Sequence, residues 1–343
     1  MSNIVVEGKS GIRVEVILHS ITEQGDEVIT FLRDYPRIVH AEDLKHRMHS
    51  NSAASSRAIP SAKMAEQLTG KPVRFGQANP GMQDKGEDYG ALVKGRQQIS
   101  YDGVLIDTWH TPEDAWNMAK NDAVFWSNAF ADAGYHKQVY NRLTEPDQMI
   151  RVLTTMTETD NFYWLRDDGA ADPTLAEVAR CMREAHKLSK PQVLKAGEWH
   201  LPFLDCVEDG DGQHFFIRHD DGNSQWLTLG EAIKVSCARC AATSFRNENY
   251  NLEKCLQVYD RLVNGDKVHA GALEHAATPM KKSAGSPMAI GGIGRVNHKF
   301  NPDTWEPGIS HVDRNGKLWS GNFKSWIQFR KLVPNENYVD TNK

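Results

Sequence analysis

The sequence predicts an α+β fold, and two observations carry the prediction. Near the N-terminus apolar and polar residues alternate, the period of a half-buried strand; further along, capped segments carry apolar residues at helical spacing. Ile12 to Ser20 (Ile-Arg-Val-Glu-Val-Ile-Leu-His-Ser) is the first strand and Glu27 to Leu32 the second, with Tyr35-Pro36-Arg37 breaking it before Ile38-Val39. Residues 69–103, rich in Gly, Gln, Asn and Pro, read as a long loop. Thr111 as N-cap and Pro112 in the first turn start a helix that runs from Ala115 to about Ala133 and ends at Gly134. Further helices are expected over Asp147 to Asp160, Pro173 to Lys187, Leu229 to Ala242 and Leu252 to Val263. Between them, Glu198 to Trp226 reads as short strands and turns, and 276–315 as a long surface loop. The last segment, Gly321 to Lys331, mixes aromatics and cations and suits a terminal strand or helix on the core.

A chain of 343 residues can bury a large core, and 40% hydrophobic with 25% charged residues is ordinary for a globular protein. A net charge of −5 argues against a general nucleic-acid binder. No apolar run approaches a membrane span, and the N-terminus shows no basic region followed by an apolar one, so a cytoplasmic protein is expected. The five cysteines form no disulfide framework. Cys237-Ala-Arg-Cys240 lacks the second pair of a zinc site and reads as two half-buried thiols on a helix. His40, His46 and His49 lack a carboxylate-rich partner motif, so no metal site is expected. Glu208 to Gly212 looks like half a calcium loop without the closing Glu, and is read as a turn. Gly291-Gly292-Ile293-Gly294 has neither the preceding strand nor the following helix of a dinucleotide loop.

The run Lys45-His-Arg-Met-His-Ser-Asn-Ser-Ala-Ala-Ser-Ser-Arg57 packs cations, imidazoles and hydroxyls into thirteen residues. As a helix it would place Lys45, His49, Ser52 and Ser56 on one face. Guanidinium and hydroxyl donors at that density suit a phosphate; a solvated basic helix followed by a polar turn is the plainer alternative.

Lys45-His46-Arg47, Ser50, Ser55 and Arg57 have the spacing of the Arg-His-Arg, Ser, Ser, Arg signature of flavin-dependent thymidylate synthases, the ThyX class, and the chain resembles that family. It is most like a phage-type variant whose motif continues Ser-Ser-Arg-Ala-Ile-Pro, here Ser55 to Pro60. Lys45 replaces the first Arg, Ser52-Ala53 stand where the family has Asn-Glu, and Ala58 where it has Tyr. A second block, Asn161-Phe-Tyr-Trp-Leu-Arg166, is similar to the family's Asn-Phe-x-x-Leu-Arg. Segments like its Arg-x-x-Arg-Val-Ser and His-x-Thr-Pro-Phe-Glu-His fall at Ser236–Phe245 and His269–His275. These usually precede the Arg-His-Arg motif but here follow it, which suggests a circular permutation. The resemblance covers residues 35–60, 136–191 and 229–331.

The resemblance implies a twisted, mainly antiparallel sheet packed with helices, forming one catalytic domain over residues 1–343. Within it, 35–205 would carry the nucleotide and flavin motifs, 206–228 a connecting insertion, and 229–331 the permuted flavin and folate side. It also implies reductive methylation of dUMP to dTMP with FAD, NADPH and methylenetetrahydrofolate, in a homotetramer. In the implied site Arg166 stabilises charge on the uracil ring. Ser55, Arg57 and Arg142 hold the nucleotide phosphate, with Glu42 also beside the nucleotide and Asn141 the alternative to Arg142. Lys45, His46, Arg47 and Asn161 face FAD, and His269 and Glu274 lie near flavin or folate. No cysteine sits in the context of a thiol-dependent thymidylate synthase, which fits a route that polarises the ring by charge. The alternatives are a related flavin- and folate-dependent hydroxymethylase, and a non-catalytic nucleotide- or flavin-binding protein.

Overall fold

The computed structural model describes residues 4–55, 68–78, 86–219, 222–243, 250–265, 267–281, 302–334 and 336–337. Val5–Glu7 (β1), Arg13–Thr22 (β2) and Glu27–Pro36 (β3) pair antiparallel. Gly25, at a φ of 89°, supplies the left-handed residue that closes the β2–β3 turn. Ser50–Ala53 (β4) follows the motif region, and a hairpin of Val93–Tyr101 (β5) and Val104–His110 (β6) leads into the helix Pro112–Asp132 (α1). Then come Met149–Met156 (β7), Asp160–Arg166 (α2), Pro173–Leu188 (α3) and Gln192–Leu194 (β8). The central six-stranded sheet has the order β1-β2-β3-β7-β4, and β8 runs parallel to β2 beyond β1.

One face of this sheet is apolar. Val14, Val16, Ile29, Phe31, Ile150 and Val152 pack on Leu175, Val178 and Met182 of α3, whose stripe recurs at helical spacing. The other face receives the C-terminal half of the chain. There Asp205–Asp209 (β9), Gly212–Arg218 (β10) and Ser224–Leu227 (β11) form a small sheet, followed by Leu229–Ala242 (α4) and Leu252–Val263 (α5). Leu32 and Leu153 meet Cys240 of α4 and Ala272 across this layer. Five short strands follow: Ala277–Pro279 (β12) with Trp326–Gln328 (β16), and between them His311–Val312 (β13), Leu318–Ser320 (β14) and Phe323–Lys324 (β15). The result is a mixed α+β architecture whose sheets are antiparallel apart from the β2–β8 pair. Among the described residues no helix is long and apolar enough to cross a membrane.

Several expectations are corrected. Residues 147–160 are not a helix: β7 is the strand between β3 and β4. Both of its faces are buried, so the period-two signal is missing and only the β-branched run Ile150, Val152, Thr154, Thr155 hints at a strand. Over its described residues, 45–55, the basic run is not helical either. Turns at 44–49 lead directly into β4, which takes up the free edge of β7. The second strand continues through Tyr35 and ends with Pro36 in the ladder, a terminal position where proline is tolerated. The expected loop at 69–103 includes all of β5, and that at 276–315 includes β12 and β13. Cys237 and Cys240 are fully buried rather than half-buried. Arg57, Ser244 and the Gly291–Gly294 run lie outside the described residues.

Candidate active site

The motif turn rests on a buried charge. Arg33, projecting from β3 toward α3, donates from Nη1 and Nη2 to the two carboxylate oxygens of Asp43 at 2.9 Å each. The Tyr35 hydroxyl donates to the same carboxylate at 3.0 Å. Arg33 Nη2 also reaches Asn51 Oδ1 on β4 at 3.2 Å, tying the turn to the strand that follows. Burial alone would raise the Asp43 carboxyl, but the Arg33 guanidinium holds it well below the usual carboxylate range. Above this pair the His46 and His49 rings stack at 5.5 Å, each edge-on to Phe162 of α2 at 4.8 and 4.6 Å. Burial, then Arg33, lowers the His49 imidazole to about 3; burial, then Arg166, lowers His46.

Two sequence blocks 120 residues apart meet here. Arg166, at the C-terminus of α2, donates from Nε to His46 Nε2 at 2.8 Å. A neutral imidazole can accept that bond, whereas an imidazolium cannot. The bond fixes the guanidinium plane through Nε, and among the described residues nothing takes the two Nη groups. Around this pair Lys45, Arg47 and Asn161 are exposed. Glu42 forms an i,i+3 ion pair with Lys45 at 3.9 Å, and half-buried Ser55 lies just beyond β4.

The remaining predicted residues lie elsewhere. Arg142 is exposed, with Nε donating to the Gln138 carbonyl at 3.2 Å. Asn141 is buried, and its carbonyl accepts from Gln148 and Thr144, so of the two only Arg142 faces solvent. His269 lines a cavity of about 860 Å³ with Ser52, Lys254, Arg261, Arg330 and Glu336. Glu274 is ion-paired to Arg330 on that side. Arg239 of the Ser236–Phe245 segment lines a different cleft and donates to the carbonyls of Phe203 and Tyr250.

The sequence reading missed what connects the cavity to the sheet. Ser52 Oγ meets His275 Nε2 at 2.9 Å, and His275 Nδ1 meets Thr155 Oγ1 at 2.8 Å. The line continues from Thr155 to Thr30 (2.7 Å), to His200 Nε2 (2.9 Å), and from His200 Nδ1 to Ser20 (2.9 Å). Burial lowers both imidazoles to about 3, so each is neutral with one proton. Six single-proton groups joined by five links can be ordered in either direction with every link made. In one order Ser52 keeps its proton free for a cavity ligand; in the other it gives that proton to His275 and accepts from the ligand. The only sequence signal was His275 within the motif-like segment, since Thr30, Thr155 and His200 come from three distant places.

No protein-family model matches the chain, and no curated protein does. Among solved structures, the chain is similar to the UMP/dUMP methylase PolB from Streptomyces cacaoi, bound with 5-Br dUMP. The identity is 14%, over 53% of this chain and 93% of that one, with a TM-score of 0.33. A likeness of that size does not establish a shared fold.

Proposed function

We propose that the chain is a flavin-dependent thymidylate synthase, methylating dUMP to dTMP with methylenetetrahydrofolate and NADPH. The observation that carries this reading is the Arg166–His46 hydrogen bond, which joins the Asn-Phe-x-x-Leu-Arg block to the Arg-His-Arg-like block. Methylation at C5 needs negative charge on the uracil ring, and a guanidinium held at Nε with both Nη groups available stabilises that charge where it develops. The thiolate alternative has little support: burial raises the thiols of Cys181 and Cys206 to about 11, and those of Cys237 and Cys255 also rise. Cys240 is buried.

The donors around Arg166 suit a flavin dinucleotide. Lys45 and Arg47 offer exposed cations for a diphosphate, and Asn161 offers an amide beside His46. When bound, FAD would supply the reducing hydride. Arg142, Ser55 and Arg57 would take the nucleotide phosphate, with Glu42 nearby; His269 and Glu274 would lie toward flavin or folate. A permuted order is supported by the C-terminal block packing on the motif strand: His275 bonds Ser52, while Asn322 and Gln328 bond Ser50. A homotetramer is supported by the large apolar side chains exposed on α1 and the β5–β6 hairpin, among them Trp109, Phe125 and Trp126.

The test is an anaerobic absorption experiment on the purified protein, with product mass. Flavin bands bleached by NADPH should return only when dUMP and methylenetetrahydrofolate are both present, yielding dTMP. A product one oxygen heavier would make it a hydroxymethylase; a protein that binds dUMP without consuming it would make it a binding protein. Arg166→Ala should lower turnover about 10²–10³-fold while retaining FAD, the cost of removing one preorganised donor. Unchanged turnover would take Arg166 out of the chemistry.

A further inference from the structure

At the far end of α3 lies a cluster that the nucleotide reading does not use. His19 of β2, Glu27 at the start of β3 and His186 in the last turn of α3 bring their ligand atoms within 4.8 Å of one another. His186 Nε2 lies 3.1 Å from Glu27 Oε2, and His19 Nε2 lies 3.8 Å from the same oxygen. Zinc bonds of about 2.0–2.2 Å to nitrogen and oxygen, at tetrahedral angles, put ligand atoms about 3.3 Å apart. The two separations bracket that value.

Three further features distinguish the cluster from a surface ion pair. His19 is only 5% exposed, and its Nε2 is buried without a hydrogen-bond partner, a costly state for a polar atom. Each imidazole is oriented through its other nitrogen: His19 Nδ1 meets Ser189 Oγ at 3.1 Å, and His186 Nδ1 meets the Tyr163 hydroxyl at 3.3 Å. Metal-bound histidines are usually held this way, with one nitrogen on the ion and the other on an outer partner. Glu27 and His186 are partly exposed, which gives an ion a way in and leaves room for water as a fourth ligand.

We infer that His19, Glu27 and His186 form a binding site for a divalent first-row metal, zinc foremost, which clamps the end of α3 to the β2–β3 hairpin. Two imidazoles and one carboxylate are the donor set of open zinc sites, and they exclude magnesium and calcium, which prefer all-oxygen shells. The site stands independently of the nucleotide reading.

The experiment uses the untagged full chain, stripped with a chelator, dialysed, and titrated with ZnCl₂ by calorimetry and elemental analysis. One equivalent should bind saturably and raise the thermal midpoint. Co²⁺ in place of zinc should give visible absorption bands of low coordination number. Glu27→Gln alters a half-exposed side chain and should fold; it should abolish the midpoint rise and the Co²⁺ bands. His19→Ala should do the same, and Ser189→Ala should weaken binding about 10-fold by freeing the His19 ring. Absence of a saturable equivalent in the parent chain, or an affinity unchanged by Glu27→Gln and His19→Ala, would overturn the site.

Discussion

On the α3 side of the central sheet, Arg33 and Asp43 form a fully buried, bidentate ion pair beneath the motif turn. On the other side a neutral line of hydroxyls and imidazoles runs from Ser52 to Ser20. Both are built on the same three strands, since Arg33 and Thr30 lie on β3, Asn51 and Ser52 on β4, and Thr154 and Thr155 on β7. The alternation of strand side chains sends neighbouring residues to opposite faces. A charged pair has one low-energy arrangement and suits a rigid support for His46 and Arg166. The neutral line has two orders of nearly equal hydrogen bonding and suits a group that must donate to one ligand and accept from another.

The largest expected effect tests the charged side. Asp43→Ala leaves the Arg33 guanidinium buried without its partner and should cost about 3–5 kcal/mol in urea unfolding. Replacing both partners together, as Arg33→Met with Asp43→Leu, should cost much less, because no charge then stays buried. If the single variant cost under about 1 kcal/mol, the pair would be solvated and the contrast between the faces would fail.

On the neutral side, His275→Ala removes the shared partner of Ser52 and Thr155. At pH 7.5 the expected loss is about 1–3 kcal/mol, the cost of unsatisfied buried groups. The pH dependence sharpens the contrast. The His275 imidazole is lowered by burial from its ordinary 6.5 to about 3, so between those values the unfolded chain holds a proton that the folded chain does not. Its neutral burial therefore costs nothing above pH 6.5, and stability falls as the pH drops from 6.5 toward 3. The variant lacks that loss, so the stability gap between parent and variant should narrow on acidification. A gap independent of pH would mean that His275 is not held neutral by burial.

How far these regions were legible in the sequence follows from the range of their interactions. The helices at 112–132, 173–188, 229–242 and 252–263 were readable because caps and apolar stripes are local: Thr111, Asp172, Thr228 and Asn251 each accept from the backbone one turn on. β7 was misread because burial on both faces erases its period. Asn161 and Arg166 were singled out from motif spacing, and both lie on α2. What joins Arg166 to His46 is a tertiary contact that no local pattern encodes. The same holds for Arg33, whose partner Asp43 sits on the helical turn after β3, and for His19, Glu27 and His186, whose separations match no metal motif.

The smallest expected effect separates support from function within the motif itself. Lys45 is exposed, and its ion pair with Glu42 at 3.9 Å is of the surface kind that contributes little to stability. Lys45→Ala should therefore change unfolding free energy by no more than about 0.5 kcal/mol. If Lys45 meets a flavin diphosphate, the same variant should release FAD more readily, most clearly at low salt, where an exposed cation acts most strongly. Comparison with Arg33 on the same face then decides what the motif's cations are for. A Lys45 variant that binds FAD like the parent would move the phosphate contact to Arg47. One that unfolds as readily as Asp43→Ala would make the motif turn structural throughout, and the division between a buried support and an exposed binding edge would not hold.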